Sequence, residues 1–190
     1  MRQSSSTIDR RQFLSSTGLG LLAFHVGGST ALLTPRDARG EGVALRVLTP
    51  DDARTVDALG DTLLPGAADA GLSHYLDHQL AATAADSLLM LRYLDWPPPY
   101  TGFYLPCVAA TNVVARAQYG KPYHDLESAE RDAFVGALRN SDPDGWQGPP
   151  APLFYFALRS DAVDVVYGTA EGFAKLGVPY MPHISPPTKW

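Results

Sequence analysis

At 190 residues, with 45% hydrophobic and 10% aromatic side chains, the chain has the length and apolar content of one globular domain able to bury its own core, which excludes a disordered chain. The net charge of -5 is uneven: residues 1 to 40 set five arginines against two aspartates, leaving 10 basic and 18 acidic residues in 41 to 190. A body at -8 has too few cations to displace counterions from a phosphate backbone, so nucleic acid is not an expected partner, and a single cysteine excludes an intramolecular disulfide, a CxxCH haem attachment or an iron-sulfur cluster built from this chain alone.

Met1 to Arg11 is polar and basic, and Gly18 to Leu33 (GLGLLAFHVGGSTALL) is a moderately apolar run broken by His25, Ser29 and Thr30. Its sixteen residues fall short of the roughly 20 that a spanning helix needs, and the order polar-basic, apolar, polar is that of a signal peptide. Arg10, Arg11, Phe13 and Leu14 form an RRxFL pattern that resembles the twin-arginine export signal, with Asp9 where Ser or Thr is more usual. An ordinary secretory signal with an accidental arginine pair is the alternative. Ser29-Thr30-Ala31 offers a small-x-small cleavage pattern. Gly18-x-Gly20-x-x-Ala23 matches a dinucleotide fingerprint in letters only, because leader residues and not a strand precede it.

Beyond the leader, Thr49-Pro50-Asp51-Asp52 is a helix start, with Thr49 as cap, Pro50 in the first turn and acidic groups at the positive end of the dipole. Ala53, Val56, Leu59 and Leu63 recur at helical spacing, which predicts a helix over 50–64 that stops at Pro65-Gly66. A second helix is expected over 72–93, with Leu72, Leu76, Leu80, Ala84, Leu88 and Leu91 on one face, ending at Trp96-Pro97-Pro98-Pro99. Further helices are expected over 103–119, over 127–139 with Ala133, Phe134 and Leu138 inward, over 153–167, and briefly over 171–176; Asn140 to Pro152 reads as a turn-rich connector. No window shows sustained period-two alternation with hairpin signals, and no internal repeat is found. The expected fold is therefore mainly α: a single compact domain of about five helices over 41–190, preceded by a signal peptide and linker over 1–40.

From Gly177 the chain reads GVPYMPHISPPTKW, with prolines at 179, 182, 186 and 187, which predicts an extended tail. Tyr180, Met181, Ile184 and Trp190 cost about 25 cal/mol per Å² of apolar surface left in water, so this tail lies on a surface, either its own domain or another subunit.

The densest grouping of chemical side chains is His74-Tyr75-Leu76-Asp77-His78, whose i, i+3 and i+4 spacing puts two imidazoles and a carboxylate on adjacent helix positions. HxxDH is loosely similar to the zinc-peptidase HxxEH. Against a metal site stand the shorter Asp77 and the lack of a third ligand motif, which favour a polar face at the start of the second helix. Cys107, in LPCVAATNVV, reads as a buried small hydrophobe and not as a reactive thiol, which would want a basic neighbour. His124 and His183 sit beside loops rich in Pro and Tyr and read as solvated hydrogen-bonding groups. GxSxG, P-loop and CxxC patterns are missing, which points to a binding or accessory role.

Leu59-Gly60-Asp61-Thr62-Leu63-Leu64-Pro65-Gly66-Ala67, Ala70-Gly71, Tyr75-Leu76-Asp77, Phe154-Tyr155-Phe156 through Val166-Tyr167-Gly168, Glu171-Gly172-Phe173 and Gly177-Val178-Pro179-Tyr180 running to Pro186-Pro187 and Trp190 follow one another in the order of a known family. Over nearly everything after the leader, the chain resembles gluconate 2-dehydrogenase subunit 3, the small subunit of membrane-associated flavin dehydrogenases. The resemblance implies a non-catalytic subunit that has no cofactor or metal of its own. It implies a large partner of the glucose-methanol-choline type that holds FAD, a multihaem cytochrome c carrying haem c, and export of the folded large subunit through the twin-arginine translocase to the periplasm. Tyr167, Phe173, Tyr180, Met181 and Trp190 are the expected partner-binding residues. The alternatives are a stand-alone exported metal-dependent enzyme using His74, Asp77 and His78, or an independent periplasmic binding protein.

Overall fold

A computed structural model describes residues 21–178, in eight α-helices, one short 3-10 turn and one β-hairpin. Arg10, Arg11, Phe13 and Leu14 of the export pattern, and Tyr180, Met181, His183 and Trp190 of the tail, lie outside the described residues.

The chain enters through β1 (Leu22–Val26) and β2 (Ser29–Leu33), an antiparallel pair in which Leu22 faces Leu33, Phe24 faces Ala31 and Val26 faces Ser29. No hairpin is expected from the sequence. Gly27 (φ 56°) and Gly28 (φ 84°) overturn that expectation, since a two-residue turn with both central residues at positive φ matches the twist of the flanking strands. Next comes α1 (Pro35–Gly40), inside the stretch expected to be linker. Its start repeats the cap chemistry of the later helix: the Asp37 amide donates to the Thr34 hydroxyl at 3.1 Å, with Pro35 in the first turn.

The body follows the expected helices closely in α2 (Pro50–Leu63), α5 (Thr101–Tyr119), α6 (Ser128–Asn140), α7 (Ala151–Tyr167) and α8 (Ala170–Lys175). Thr49 and Asp52 form a reciprocal capping box on α2. This helix is central: it touches the second body helix, α5, α6, α7 and the 3-10 turn at Tyr123–Asp125. The core around it is aromatic, with Phe103, Tyr104, Phe134, Phe154 and Tyr123 fully buried and Phe103 and Tyr104 meeting edge to face at 5.3 Å between centroids. Ala133, expected inward on α6, is exposed.

The expected long helix over 72–93 is two helices, α3 (Leu72–Ala81) and α4 (Met90–Tyr93). Side chains take over the backbone groups between them. Thr83 Oγ1 donates to Asp86 Oδ2 at 2.6 Å, the Ser87 amide turns back to the Thr83 carbonyl, Gln79 Oε1 accepts the Leu88 amide at 2.7 Å, and the Met90 amide donates to Asp161 on α7 at 2.9 Å. Leu72, Leu76, Leu80 and Leu91 are buried as the period predicts, but the break turns Leu88 outward.

Asp161 is 0% exposed and accepts from the Tyr104 hydroxyl as well as from Met90, so it ties α7 to α5 and α4. Burial pushes its carboxyl up to about 7, against the two hydrogen bonds, and the nearby Asp164 pushes the same way. The native state thus holds a proton that the unfolded chain releases near 3.8, and stability falls as pH rises from about 4 to 7. Asp161→Asn can keep the Met90 bond through its carbonyl, while its amide faces Tyr104 and donates to the hydroxyl oxygen, reversing that bond. In urea titrations the variant should gain on the wild type by about 2–4 kcal/mol between pH 4.5 and 7.5. A constant difference across that range would show that Asp161 does not titrate there.

Candidate functional site

Two regions hold the side chains singled out in the sequence. The first is the HYLDH stretch, now on α3. Both carboxylate oxygens of Asp77 accept main-chain donors: Arg46 N–H at 3.0 and 2.9 Å, Val47 N–H at 2.8 Å and Leu48 N–H at 2.9 Å. His74 Nε2 donates to the Val43 carbonyl at 3.1 Å, and His78 Nε2 donates to the Ala23 carbonyl on β1 at 3.2 Å. Burial holds His78 below the usual imidazole range, so it stays neutral with its proton on the nitrogen that meets Ala23. The three polar groups diverge to three backbone segments instead of converging on one point. Among the described residues no group of three or more His, Cys, Asp or Glu is placed to hold a metal ion. HYLDH is a clamp that fixes residues 43–48 and the hairpin to the helical body.

The other family-like anchors also build scaffold. Asp61 Oδ1 accepts the Ala68 amide at 2.9 Å, closing the turn after α2, and Thr62 Oγ1 accepts the Tyr123 hydroxyl at 3.0 Å. Gly71 (φ 87°) caps α3 where a Cβ would run into the Pro35 backbone, so glycine there lets α1 sit on α3. Cys107 is fully buried, and burial pushes its thiol up to about 12, which leaves it inert as expected. His124, read from sequence as solvated, is a correction: its side chain is 8% exposed, with Nδ1 3.1 Å from Thr55 Oγ1 in a network with Asn112.

The second region is the corner where α7 gives way to α8. Tyr167 ends α7, and Phe173 lies on α8, both half-buried. The Gly172 amide caps onto Thr169 Oγ1 at 3.0 Å, and a Cβ on Gly172 would press on the backbone of Val166 and Tyr167. The Gly172 of the EGF stretch therefore lets α8 fold back against the end of α7. Glu171 fixes that fold from outside: Oε2 meets Arg36 Nη1 of α1 at 3.1 Å and Oε1 meets Lys175 Nζ at 3.1 Å. Lys175 and then Arg36 hold its carboxyl below the ordinary glutamate range. A cavity of about 350 Å³ lies between α1 and this corner, walled by Arg36, Ala70, Val165, Thr169 and Glu171.

Just past Phe173, Leu176 and Val178 are 54% and 49% exposed, and from here the chain continues into residues 179–190. Leu176 and Val178, two positions apart, leave aliphatic surface in water beside a corner that carries a cap, a close-approach glycine and two exposed ion pairs. Helices over 153–167 and 171–176 are expected from the sequence; the exposure of Leu176 and Val178 is a property of packing, which the sequence does not signal.

The fold and the two regions define a small helical domain whose HYLDH groups hold its own backbone and whose corner after α8 exposes Leu176 and Val178 beside the charged Glu171 and Lys175. The chain belongs to the gluconate 2-dehydrogenase subunit 3 family, whose model matches residues 50–185. The match takes in α2 to α8 and runs on through Tyr180 and Met181. That family is a small subunit of a dehydrogenase complex. No curated protein and no solved structure matches the chain.

Proposed function

We propose that this chain is the accessory small subunit of a periplasmic flavin-dependent sugar or alcohol dehydrogenase complex, and that it supports maturation and twin-arginine export of the large subunit. In this reading the FAD sits in a large partner of the glucose-methanol-choline type and haem c in a cytochrome partner, and this chain is non-catalytic. Tyr167, Phe173, Leu176 and Val178, with Tyr180, Met181 and Trp190 of the following segment, hold the large subunit. The observation that carries the proposal is the family match over 50–185, which continues past the described corner into the aromatic, proline-rich segment. A stable complex of this kind buries about 1,600 Å² or more, and aromatic and aliphatic anchors dominate its energy.

Export is tested at the leader. With Arg10→Lys and Arg11→Lys combined, dehydrogenase activity in the periplasmic fraction should fall to background while both subunits accumulate in the cytoplasm. Normal periplasmic activity in that double variant would contradict the export role.

A further inference from the structure

The hairpin occupies the stretch in which the leader's small-x-small pattern falls. Ser29 and Ala31 pair with Val26 and Phe24 across the ladder, and side chains of directly opposed residues share a face. That face is turned inward at Phe24 and Ala31, and is open at Ser29 beside the turn. Phe24 is 7% exposed and packs with Ala38 of α1 and Val43, with Leu22, Val26 and Leu33 partly buried beside it. The Phe24 ring also lies 5.1 Å from the His78 ring, whose Nε2 holds the Ala23 carbonyl. A leader peptidase reads the small side chains one and three residues before the cut from an extended segment lying in its own cleft. Here Ala31 is half-buried opposite Phe24 while Ser29 stays exposed beside the turn, and what withholds both from such a cleft is that their strand is committed to a ladder. A free two-stranded hairpin is marginal in water, so packing on α1 and the α3 clamp are what keep it closed.

We propose that residues 22–33 are a docked strap of the mature domain, shielding the Ala31–Leu32 bond from leader peptidase, so that the exported chain keeps the hairpin. The statement about the exported chain rests on the export reading above; the shielding itself does not.

Purified full-length protein and a synthetic peptide of residues 18–40 are incubated with leader peptidase in detergent, and products are followed by intact mass. The peptide should be cut after Ala31, and the folded wild type at least about tenfold more slowly, because cutting must wait for local opening. Phe24→Asp, which expels the ring from its pocket, should approach the peptide's rate. His78→Ala, which removes one contact and leaves the main core intact, should fall between. Wild type cut as fast as the peptide, a peptide that resists cutting, or a His78→Ala variant as resistant as wild type while its circular dichroism is native would each overturn the proposal. Chain recovered from the periplasm should begin at or before Leu22, and a chain beginning at Leu32 would overturn it. Absence of the chain from the periplasm overturns the export reading alone, because the peptidase comparison uses purified protein.

Discussion

Asp77→Ala should lower the unfolding free energy by about 3 kcal/mol and the Tm by roughly 6–12 °C. The carboxylate is 4% exposed and serves three successive amides, those of Arg46, Val47 and Leu48. Alanine leaves these donors without their acceptor, the Leu48 amide in a buried position, and a hydrogen bond to a charged group is worth about 1.5–3 kcal/mol. Asp77→Asn separates charge from geometry: one oxygen remains to accept, while the new amide meets the Arg46 N–H as donor against donor, so roughly half the loss is expected. Chemical denaturation measures both. A cost within about 0.5 kcal/mol for the alanine variant would show that the 46–48 segment is held by something else.

Leu176→Asp combined with Val178→Asp should weaken capture of the large dehydrogenase subunit at least tenfold, since residues that anchor an interface cost about 2 kcal/mol or more each when lost. Because both side chains are about half exposed in the chain alone, the unfolding free energy should stay within about 0.5 kcal/mol of wild type. That pairing of results distinguishes a contact surface from a part of the core. Tyr167 and Phe173 are half-buried, and their truncation would mix the two effects. Undiminished capture by the double variant would remove the corner from the interface.

The helical body was legible because its signals are local. Thr49-Pro50-Asp51-Asp52 fixed the start of α2, apolar spacing carried it to its end, and the helices expected over 103–119, 127–139 and 153–167 match α5, α6 and α7 to within about two residues. Where long-range contacts decide, the sequence was silent or misleading. The leucine period through Leu88 and Leu91 is real, yet Thr83, Gln79 and the distant Asp161 draw the backbone out of the helix between α3 and α4. Thr34-Pro35-x-Asp37 carries the same cap signal as Thr49-Pro50-x-Asp52, and Gly27-Gly28 is a hairpin signal, but an apolar stretch behind a basic leader drew both into a signal peptide and linker.

The site divides in the same way. HYLDH was visible as a cluster of ligating side chains, but its chemistry is set by what each group reaches, and those partners lie 29 to 55 residues away. Spacing along one helix cannot report that divergence. Conversely, the glycines at 71 and 172 carry no chemistry, yet they set where α1 and α8 sit, and with them the braced corner at Leu176 and Val178.

The most direct test of the central claim is size-exclusion chromatography with light scattering and flavin absorbance on the tagged chain purified from the cells that produce it. It should elute with a larger, flavin-absorbing chain, and dehydrogenase turnover should follow that peak. Elution alone at the mass of a monomer of 20.4 kDa or less, with substrate turnover in that same peak, would contradict the claim.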